Sequence, residues 1–362
     1  MRDINELKDI RLRLHSNPGV SGCEEYAHNL VADFLAQLHP DELNTNIGGY
    51  GIVAYWKSMR PEAKTIAFRA DTDALPIGHR CGHDGHTTML LRFAEIVAES
   101  ERQYNIVLIF QPEEETGKGA RKIVESGLLK KYAVSAVFGL HNLPGYPEGA
   151  VVLNRATFAA ASTGVIYSLH GRATHASTPE KGLNPGRAAA AIIERMDTLN
   201  RSSDNLQLFR QSTLICCRVG EEAFGTSAGK GEVMFTLRTY TSQAMLDLMA
   251  AADQIAAEED DRWHLELEKQ LREPFRATEN TPELTDALER IFSPQLNVMT
   301  AKRPFRWSED FAEYLAVCPG AFFGLGSGVN QPELHHPDYN FPDTIIETGA
   351  HCFELIMKNI KI

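Results

Sequence analysis

The stretch TIAFRADTDALPIGHRCGHDGHTTMLLRFAEIVAES, residues 65–100, passes from a short apolar segment through a polar loop into an amphipathic segment. Thr65–Phe68 is typical of a buried strand, and Thr87–Ser100 has the apolar spacing of a helix. The strand-like run Asn105–Phe110 follows closely. Alternation of helices and apolar strands predicts an α/β sheet covered on both faces.

The same alternation extends toward both ends of the chain. The remaining predicted elements of this kind are helices at Glu24–Leu38, Gly119–Leu129, Glu283–Phe292 and from Thr344, and strands at Ala136–Leu140 and Ala321–Gly324. Because the pattern stops before the middle of the chain and resumes after Pro282, an inserted domain explains it better than two domains in series.

The middle of the chain predicts a different domain. Its strands are expected at Gly164–His170, Ser212–Val219, Glu232–Tyr240 and Trp263–Gln270, and its helices at Asn184–Leu199 and Gln243–Glu258. The resulting order, βαββαβ, is the ferredoxin-like α+β pattern. We place this insertion at residues 161–275, within a domain made of residues 1–160 and 276–362.

Composition limits the partners and the compartment. A net charge of −12 argues against nucleic acid or an anionic membrane surface as the main partner. The sequence contains no run of about 18 apolar residues, so no transmembrane helix is expected. The charged N-terminus lacks the apolar core of a signal peptide. Six scattered cysteines without a disulfide framework indicate a reducing, cytoplasmic location.

The segment His79–His86 carries the densest group of metal-binding side chains. Cys81 and His83 form a Cys-x-His pair, and thiolate and imidazole are good ligands for zinc and similar metals. Asp73 and Asp84 are candidates to orient the ligating imidazoles. A polar loop with helix-capping residues would explain the same segment without a metal.

Three further groups lie near predicted strand ends, where ligands tend to bind in α/β sheets. They are Gln111–Glu115, His141 and His335–Asp338. One carboxylate beside a metal can bind it, while its neighbour takes a proton from water. One cysteine, one or two glutamates and several histidines suffice for a two-metal centre, although each group alone also fits a solvated loop or a structural histidine.

Motifs in one consistent order then identify a family. They are Arg13–Pro18, Phe68–Pro76, Cys81–His86, Phe110–Glu115, Gly139–His141, Thr174–Ser177, Ser308–Phe311 and Leu334–Pro337. With these, nearly the whole chain resembles the aminoacylase/carboxypeptidase-like metallohydrolases of peptidase clan MH. The similar branch is the amidohydrolase branch, which contains hippurate hydrolases, N-acetyl-diaminopimelate deacetylases and auxin-conjugate hydrolases.

The resemblance implies a mixed-sheet, metallopeptidase-type catalytic domain with an inserted ferredoxin-like lid and dimerisation domain. It implies two divalent metal ions, with zinc, manganese, cobalt and nickel left open. It makes Glu114 the general base for a water molecule that the metals activate. The implied metal ligands are Cys81, His83, Glu115, His141 and His335.

The resemblance also implies contacts from the inserted domain. His175 would hold the substrate carbonyl, and in a homodimer it would act on the neighbour's site. Arg238 matches an arginine that binds a substrate carboxylate, although a surface ion pair would explain it equally well. The expected reaction is hydrolysis of the amide bond of a small N-acyl amino acid. A dipeptidase or carboxypeptidase, or a non-catalytic metal-binding relative, is the alternative.

Three departures from the family pattern bear on substrate choice. Only three residues separate Ile77 from Cys81, where relatives carry a longer segment. Ala223-Phe224 lies where relatives carry Asn-x-Ile-Pro, and Glu113 replaces a small residue and adds charge.

Two local patterns receive structural interpretations. Gly225–Gly229 matches the Gly-x-Ser-x-Gly elbow of serine hydrolases, but a strand is predicted after it instead of a helix, which favours a hairpin. Glu309 and Asp310 are expected to cap a helix near Ser308.

Overall fold

The computed structural model describes all 362 residues. The chain divides into two compact units, Met1–Phe158 with Thr278–Lys302 and Asp310–Ile362, and Ala159–Ala277 with Arg303–Glu309. The second unit therefore includes residues 303–309, which the sequence analysis placed in the catalytic domain. That the second unit acts as a lid and dimerises stays a prediction.

Fourteen strands and ten α-helices make up the two units. The strands are β1 Glu42–Ile47, β2 Gly51–Trp56, β3 Thr65–Asp71, β4 Asn105–Gln111, β5 Val134–Pro144, β6 Val151–Leu153, β7 Ala161–His170, β8 Thr174–His175, β9 Arg210–Val219, β10 Thr226–Ser227, β11 Lys230–Thr239, β12 Glu266–Phe275, β13 Val298–Thr300 and β14 Gly320–Gly328. The α-helices are α1 Ile4–Ser16, α2 Glu25–Ala36, α3 His83–Glu99, α4 Gly119–Glu125, α5 Leu128–Lys131, α6 Gly186–Asp197, α7 Ser242–Trp263, α8 Pro282–Phe292, α9 Ala312–Leu315 and α10 Ile346–Asn359.

An eight-stranded mixed sheet forms the centre of the first unit, in the order β1-β2-β4-β3-β5-β14-β6-β13. Its central strands β4, β3, β5 and β14 are parallel, and β1, β2 and β6 add antiparallel pairings. Phe68 of β3 shows how a face of the sheet is covered. Its ring lies 4.7 Å from that of Phe93 in α3 and 5.3 Å from that of Phe353 in α10, between ring centroids. Edge-to-face packing of this kind adds to the burial of the rings.

The second unit has the ferredoxin-like fold. Its four antiparallel strands lie in the order β12-β7-β11-β9, and they follow the predicted βαββαβ sequence with α6 and α7. Alternate residues of β7 and β11, such as Tyr167 and Phe235, enter the core with Leu248 of α7. Alternation along a strand buries one face of the sheet and leaves the other available.

Several predicted boundaries are wrong. Helix α3 begins at His83, four residues before the predicted Thr87, so the candidate metal-binding segment continues into the helix itself. The predicted helix Gly119–Leu129 is two helices, separated where Gly127 adopts φ 77°. No side chain caps α9, so Asp310 is not the helix cap that was expected.

Candidate metal centre

Parallel strands bring the candidate residues to one edge of the sheet. Asp71 at the end of β3 is the register partner of Gln111 at the end of β4. The polar segments that follow these two strands therefore leave the sheet side by side, at the edge where α/β proteins bind ligands. His141 lies inside β5, opposite Gly324, and not at the end of a strand as predicted.

The structure brings the five predicted ligands together. Ligand atoms of Cys81, His83 and Glu115 lie within 4.8 Å of one another. Glu115 Oε1 lies 3.5 Å from the Nε2 of His335, and the ring centroids of His83 and His141 are 5.8 Å apart. His335 differs from the others because its side chain is 55% exposed and its backbone has φ 66°.

His83 has one ring nitrogen that the protein leaves free to bind an ion. Its Nδ1 faces the carbonyl oxygen of Asp73 at 3.0 Å and the Oδ1 of the same residue at 3.2 Å. Its Nε2 is buried and has no hydrogen-bond partner. A buried polar atom without a partner is costly, and a sulfur, imidazole and carboxylate donor set suits zinc and neighbouring metals. These residues therefore fit a divalent cation.

The electrostatic surroundings act differently on the three buried ligands His83, His141 and Cys81. Burial disfavours a charged His83, yet the nearby Asp71 and Cys81 outweigh it and raise the pKa of His83 well above its usual value. Burial, reinforced by His86, lowers the pKa of His141 well below its usual value, which keeps this imidazole in the neutral form that binds metals. Burial raises the pKa of the Cys81 thiol to about 12.

The two aspartates expected to orient the ligands have different roles. Asp73 contacts His83, and its Oδ2 accepts hydrogen bonds from the Glu115 N–H at 3.0 Å and from the Ser21 hydroxyl at 2.7 Å. Asp84 contacts no predicted ligand. Its carboxylate accepts from Arg11 at 3.3 Å and lies 2.7 Å from His15 Nδ1.

His86, which the resemblance does not include among the ligands, has ring nitrogens that lie close to those of His83 and His141. Its Nδ1 is 2.6 Å from Asp71 Oδ1, and its Nε2 accepts the Asn142 N–H at 3.0 Å. Both ring nitrogens of His86 therefore already have partners within the protein.

The candidate base Glu114 is buried beside this cluster. Its Oε1 accepts the backbone N–H of Asp310 at 3.4 Å, and its Oε2 lies 4.0 Å from His83 Nε2. The adjacent Glu113 forms an ion pair with Lys122. The extra charge that Glu113 was expected to add near the metals is therefore paired with a cation.

His175 and Arg238 both lie in the second unit, His175 in the small sheet of β10 and β8 and Arg238 in the four-stranded sheet. His175 is exposed in β8, where it pairs with Thr226 of β10. Arg238, near the end of β11, donates to the Arg306 carbonyl at 2.6 Å and to the Ser308 hydroxyl at 3.3 Å. No helix follows β10, so the context of a serine nucleophile is missing.

A buried polar network beneath the centre was not predicted from the sequence. Arg69, in β3, pairs through its guanidinium with Asp71, Gln111 and Asp310. The available signal in the sequence was an arginine within an otherwise apolar strand. An arginine buried in such a strand, as Arg69 is, requires buried acceptors.

Comparisons with known proteins agree on a class of metal-dependent hydrolases. The chain is 30% identical to an uncharacterized hydrolase of Staphylococcus epidermidis, over 99% of this chain and all of that protein. Its structure resembles a protein from methicillin-resistant Staphylococcus aureus, provisionally assigned as an aminohydrolase, with TM-score 0.90, 25% identity and coverage of 99% and 97%. The fold is also that of the Bacillus subtilis YXEP protein, described as a dinuclear metal-binding peptidase, with TM-score 0.84, 23% identity and coverage of 99% of both chains.

The family follows from a direct match. Residues 67–359 match the model of peptidase family M20/M25/M40, so the chain belongs to that family and is a metal-dependent hydrolase. None of its helices has both the length and the apolar character needed to cross a membrane.

Proposed function

We propose that this protein hydrolyses the amide bond of N-acyl amino acids, with Glu114 as the general base. The observation that carries the proposal is the position of Glu114, a buried carboxylate whose Oε2 lies 4.0 Å from the unpartnered His83 Nε2. A base within reach of a water beside the cluster can take its proton and then deliver that proton to the leaving amine.

The chain's own residues divide the work. Two divalent ions would be held by Cys81, His83, Glu115, His141 and His335. Zinc, manganese, cobalt and nickel all suit these donors. Bound there, the ions would lower the pKa of water and polarise the amide carbonyl. Asp73 orients His83 and the Glu115 backbone together through the contacts described above.

The second unit would supply the substrate contacts. Arg238 is proposed to bind the substrate carboxylate, and His175 the carbonyl oxygen. We also propose that the protein is a cytoplasmic homodimer. The dimer is supported by β9, which is an edge strand of its sheet and has Leu214 and Ile215 exposed by 44% and 60%. An edge strand with exposed apolar side chains tends to pair with another chain.

A peptidase is the second candidate. The YXEP protein is described as a peptidase, and peptide and acyl-amide hydrolysis use the same groups. In favour of the deacylase, a structural neighbour with TM-score 0.77 and 19% identity is an aminobenzoyl-glutamate utilization protein of Klebsiella pneumoniae. Its name contains an acylated amino acid.

The test compares Glu114→Gln with Glu113→Gln, which removes the neighbouring carboxylate of the same loop. Metal content and turnover are measured on N-acetyl amino acids, N-benzoyl amino acids and dipeptides. We expect Glu114→Gln to retain two metals and to lose about 10²–10⁴-fold in kcat, the usual contribution of a general base. Glu113→Gln should retain most of its turnover, because its carboxylate pairs with Lys122.

The substrate panel separates the two candidates. Turnover of acyl amino acids above dipeptides supports the deacylase, and the reverse order supports the peptidase. If Glu114→Gln turns over as fast as the wild type, Glu114 is not the base. If the purified protein binds no divalent metal, the proposal is wrong at its foundation.

A further inference from the structure

Asp310 is a buried acidic residue whose backbone N–H contacts the candidate base Glu114, and the proposed function assigns it no role. Asp310 is 2% exposed, and its side chain accepts hydrogen bonds from three residues. Arg69 donates at 2.7 Å, Gln111 Nε2 at 2.8 Å to each oxygen, and the Ala120 N–H at 2.9 Å. These donors belong to β3, β4 and α4, so three elements fix one carboxylate.

The strength of this anchor comes from Arg69. Its side chain is fully buried, and its donors reach Gln111 Oε1 at 2.8 Å, Asp71 Oδ2 at 2.6 Å and Asp310. A guanidinium removed from water is stable only when its fork of donors is paired. Moving Asp310 would leave one of those donors without its partner, so the protein resists such a movement.

The anchored residue touches Glu114 through its backbone. The N–H of Asp310 donates to Glu114 Oε1 at 3.4 Å. Because the carboxylate and the N–H of Asp310 are attached to the same Cα, fixing the side chain also fixes the donor. The other oxygen, Oε2, lies on the His83 side, 4.0 Å from the Nε2 of that residue.

We propose that Asp310 is a positioning residue for the general base: its anchored backbone N–H holds Glu114 so that Oε2 faces the metal cluster. This inference rests on the proposed role of Glu114. The positioning role of Asp310 takes the place of the helix-capping role predicted from the sequence, because no side chain caps α9. Four hydrogen bonds from three donor residues already occupy the carboxylate, so the proposal gives Asp310 a positioning role and not that of a metal ligand.

The first variant is Asp310→Asn. Asparagine keeps the size of the side chain, but its NH2 group cannot accept the hydrogen bonds now made by Ala120 and Gln111. We expect kcat to fall about 10- to 100-fold, the order of loss that misplacing a catalytic group by about 1 Å produces. The KM, the metal content and the affinity for the product amino acid should stay close to those of the wild type.

A double-mutant cycle shows whether Asp310 acts through Glu114. Residues that work as one unit give losses that do not add. Adding Asp310→Asn to Glu114→Gln should therefore leave the residual rate of the single Glu114→Gln variant unchanged. Independent effects would instead multiply.

Tyr314→Phe is the matched control. The Tyr314 hydroxyl donates to Gln111 Oε1 at 3.0 Å, so this change removes a buried hydrogen bond of the same network and leaves the residues Asp310 and Glu114 themselves unsubstituted. We expect a lower Tm with an unchanged kcat. If Asp310→Asn does not fold, Gln111→Met takes its place, because it removes a donor from Asp310 without changing a charge.

The outcomes are distinct. Wild-type kcat in Asp310→Asn with both metals bound overturns the proposal. So does a multiplicative loss in the cycle, or an equal loss of kcat in Tyr314→Phe. The same criteria apply to Gln111→Met. The proposed function fails separately, when Glu114→Gln alone keeps its full turnover.

Discussion

At the scale of single residues, Asp73 and Asp84 show how two buried carboxylates near one centre differ in purpose. Asp73 contacts His83 and the Glu115 N–H. Partners of this kind typically contribute 10- to 100-fold in metal affinity or activity. We therefore expect Asp73→Asn to weaken divalent-metal binding by roughly that factor, measured by titration of the metal-free protein with Zn²⁺ or Mn²⁺.

Asp84→Asn is the control for that experiment. Its carboxylate pairs with Arg11 and His15 and contacts none of the five proposed ligands. Losing a hydrogen bond to a charged group costs about 1.5–3 kcal/mol in the free energy of unfolding. Asp84→Asn should therefore lower the Tm and leave metal affinity nearly unchanged. Equal losses of metal affinity in both variants would show that the contacts of Asp73 have no special role.

At the scale of elements, the first turn of α3 depends on Gly82. This residue has φ 96°, and a Cβ there would lie 2.5 Å from Asn142 Oδ1. Asn142 is buried, and its backbone N–H donates to His86. A side chain at residue 82 would therefore displace Asn142 and disturb the strand that carries His141.

The matched comparison is Gly82→Ala against Gly78→Ala. Gly78 also has a positive φ, 93°, but a Cβ there would meet nothing within 4 Å. Gly78→Ala should cost only the strain of a left-handed backbone, about 1–2 kcal/mol. Gly82→Ala should cost more and should also reduce metal content, measured by elemental analysis and chemical denaturation. Equal costs with full metal content in both would contradict the role of Gly82.

Local patterns in the sequence were enough to predict most helices and strands and the fold class of both domains. Strands such as β4 and β11 are apolar or alternating, and their predicted boundaries agree with the structure to within two residues. Helix α1 was missed although Leu7, Ile10 and Leu14 have helical spacing. The start of α3 was predicted too late because its N-cap is Gly82 and its first turn consists of polar residues and a glycine, which lack the apolar spacing of a helix.

The family motifs were enough to predict the site residues, but short-range sequence patterns could not predict their hydrogen-bond partners. The contacts of Asp310 join residues 111, 120 and 310, and those of Asp84 join residues 11, 15 and 84. Such pairings depend on how distant segments pack, and no spacing along the chain encodes them. Glu113 shows the same limit, because its pairing with Lys122 depends on how α4 packs after β4.

At the scale of the whole molecule, the positions of His175 and Arg238 constrain the proposed substrate contacts. Arg238 follows Lys230 by eight residues in β11, which is about 27 Å at the usual rise of a strand. His175 lies at the Lys230 end, because it pairs with Thr226. One small acyl amino acid cannot reach both residues of the same chain.

Two copies of the chain resolve this conflict if one contributes Arg238 and the other contributes His175 to each site. A symmetric dimer allows this exchange, because each subunit offers the same surface to the other. Glu114→Gln and His175→Ala, each inactive alone, should then restore activity when the two chains are co-expressed with different tags. In a mixed dimer, one site combines an intact Glu114 with the intact His175 of the other copy.

The amount of activity restored is itself a test. Random pairing makes about half of the dimers mixed, with one competent site in two, so about a quarter of wild-type turnover is expected. Dimers purified through both tags should reach about half. If His175 serves its own chain, both sites of a mixed dimer lack one group, and co-expression restores nothing. A protein that sediments as a monomer at full turnover would refute the shared site, and only one of His175 and Arg238 could then bind the substrate.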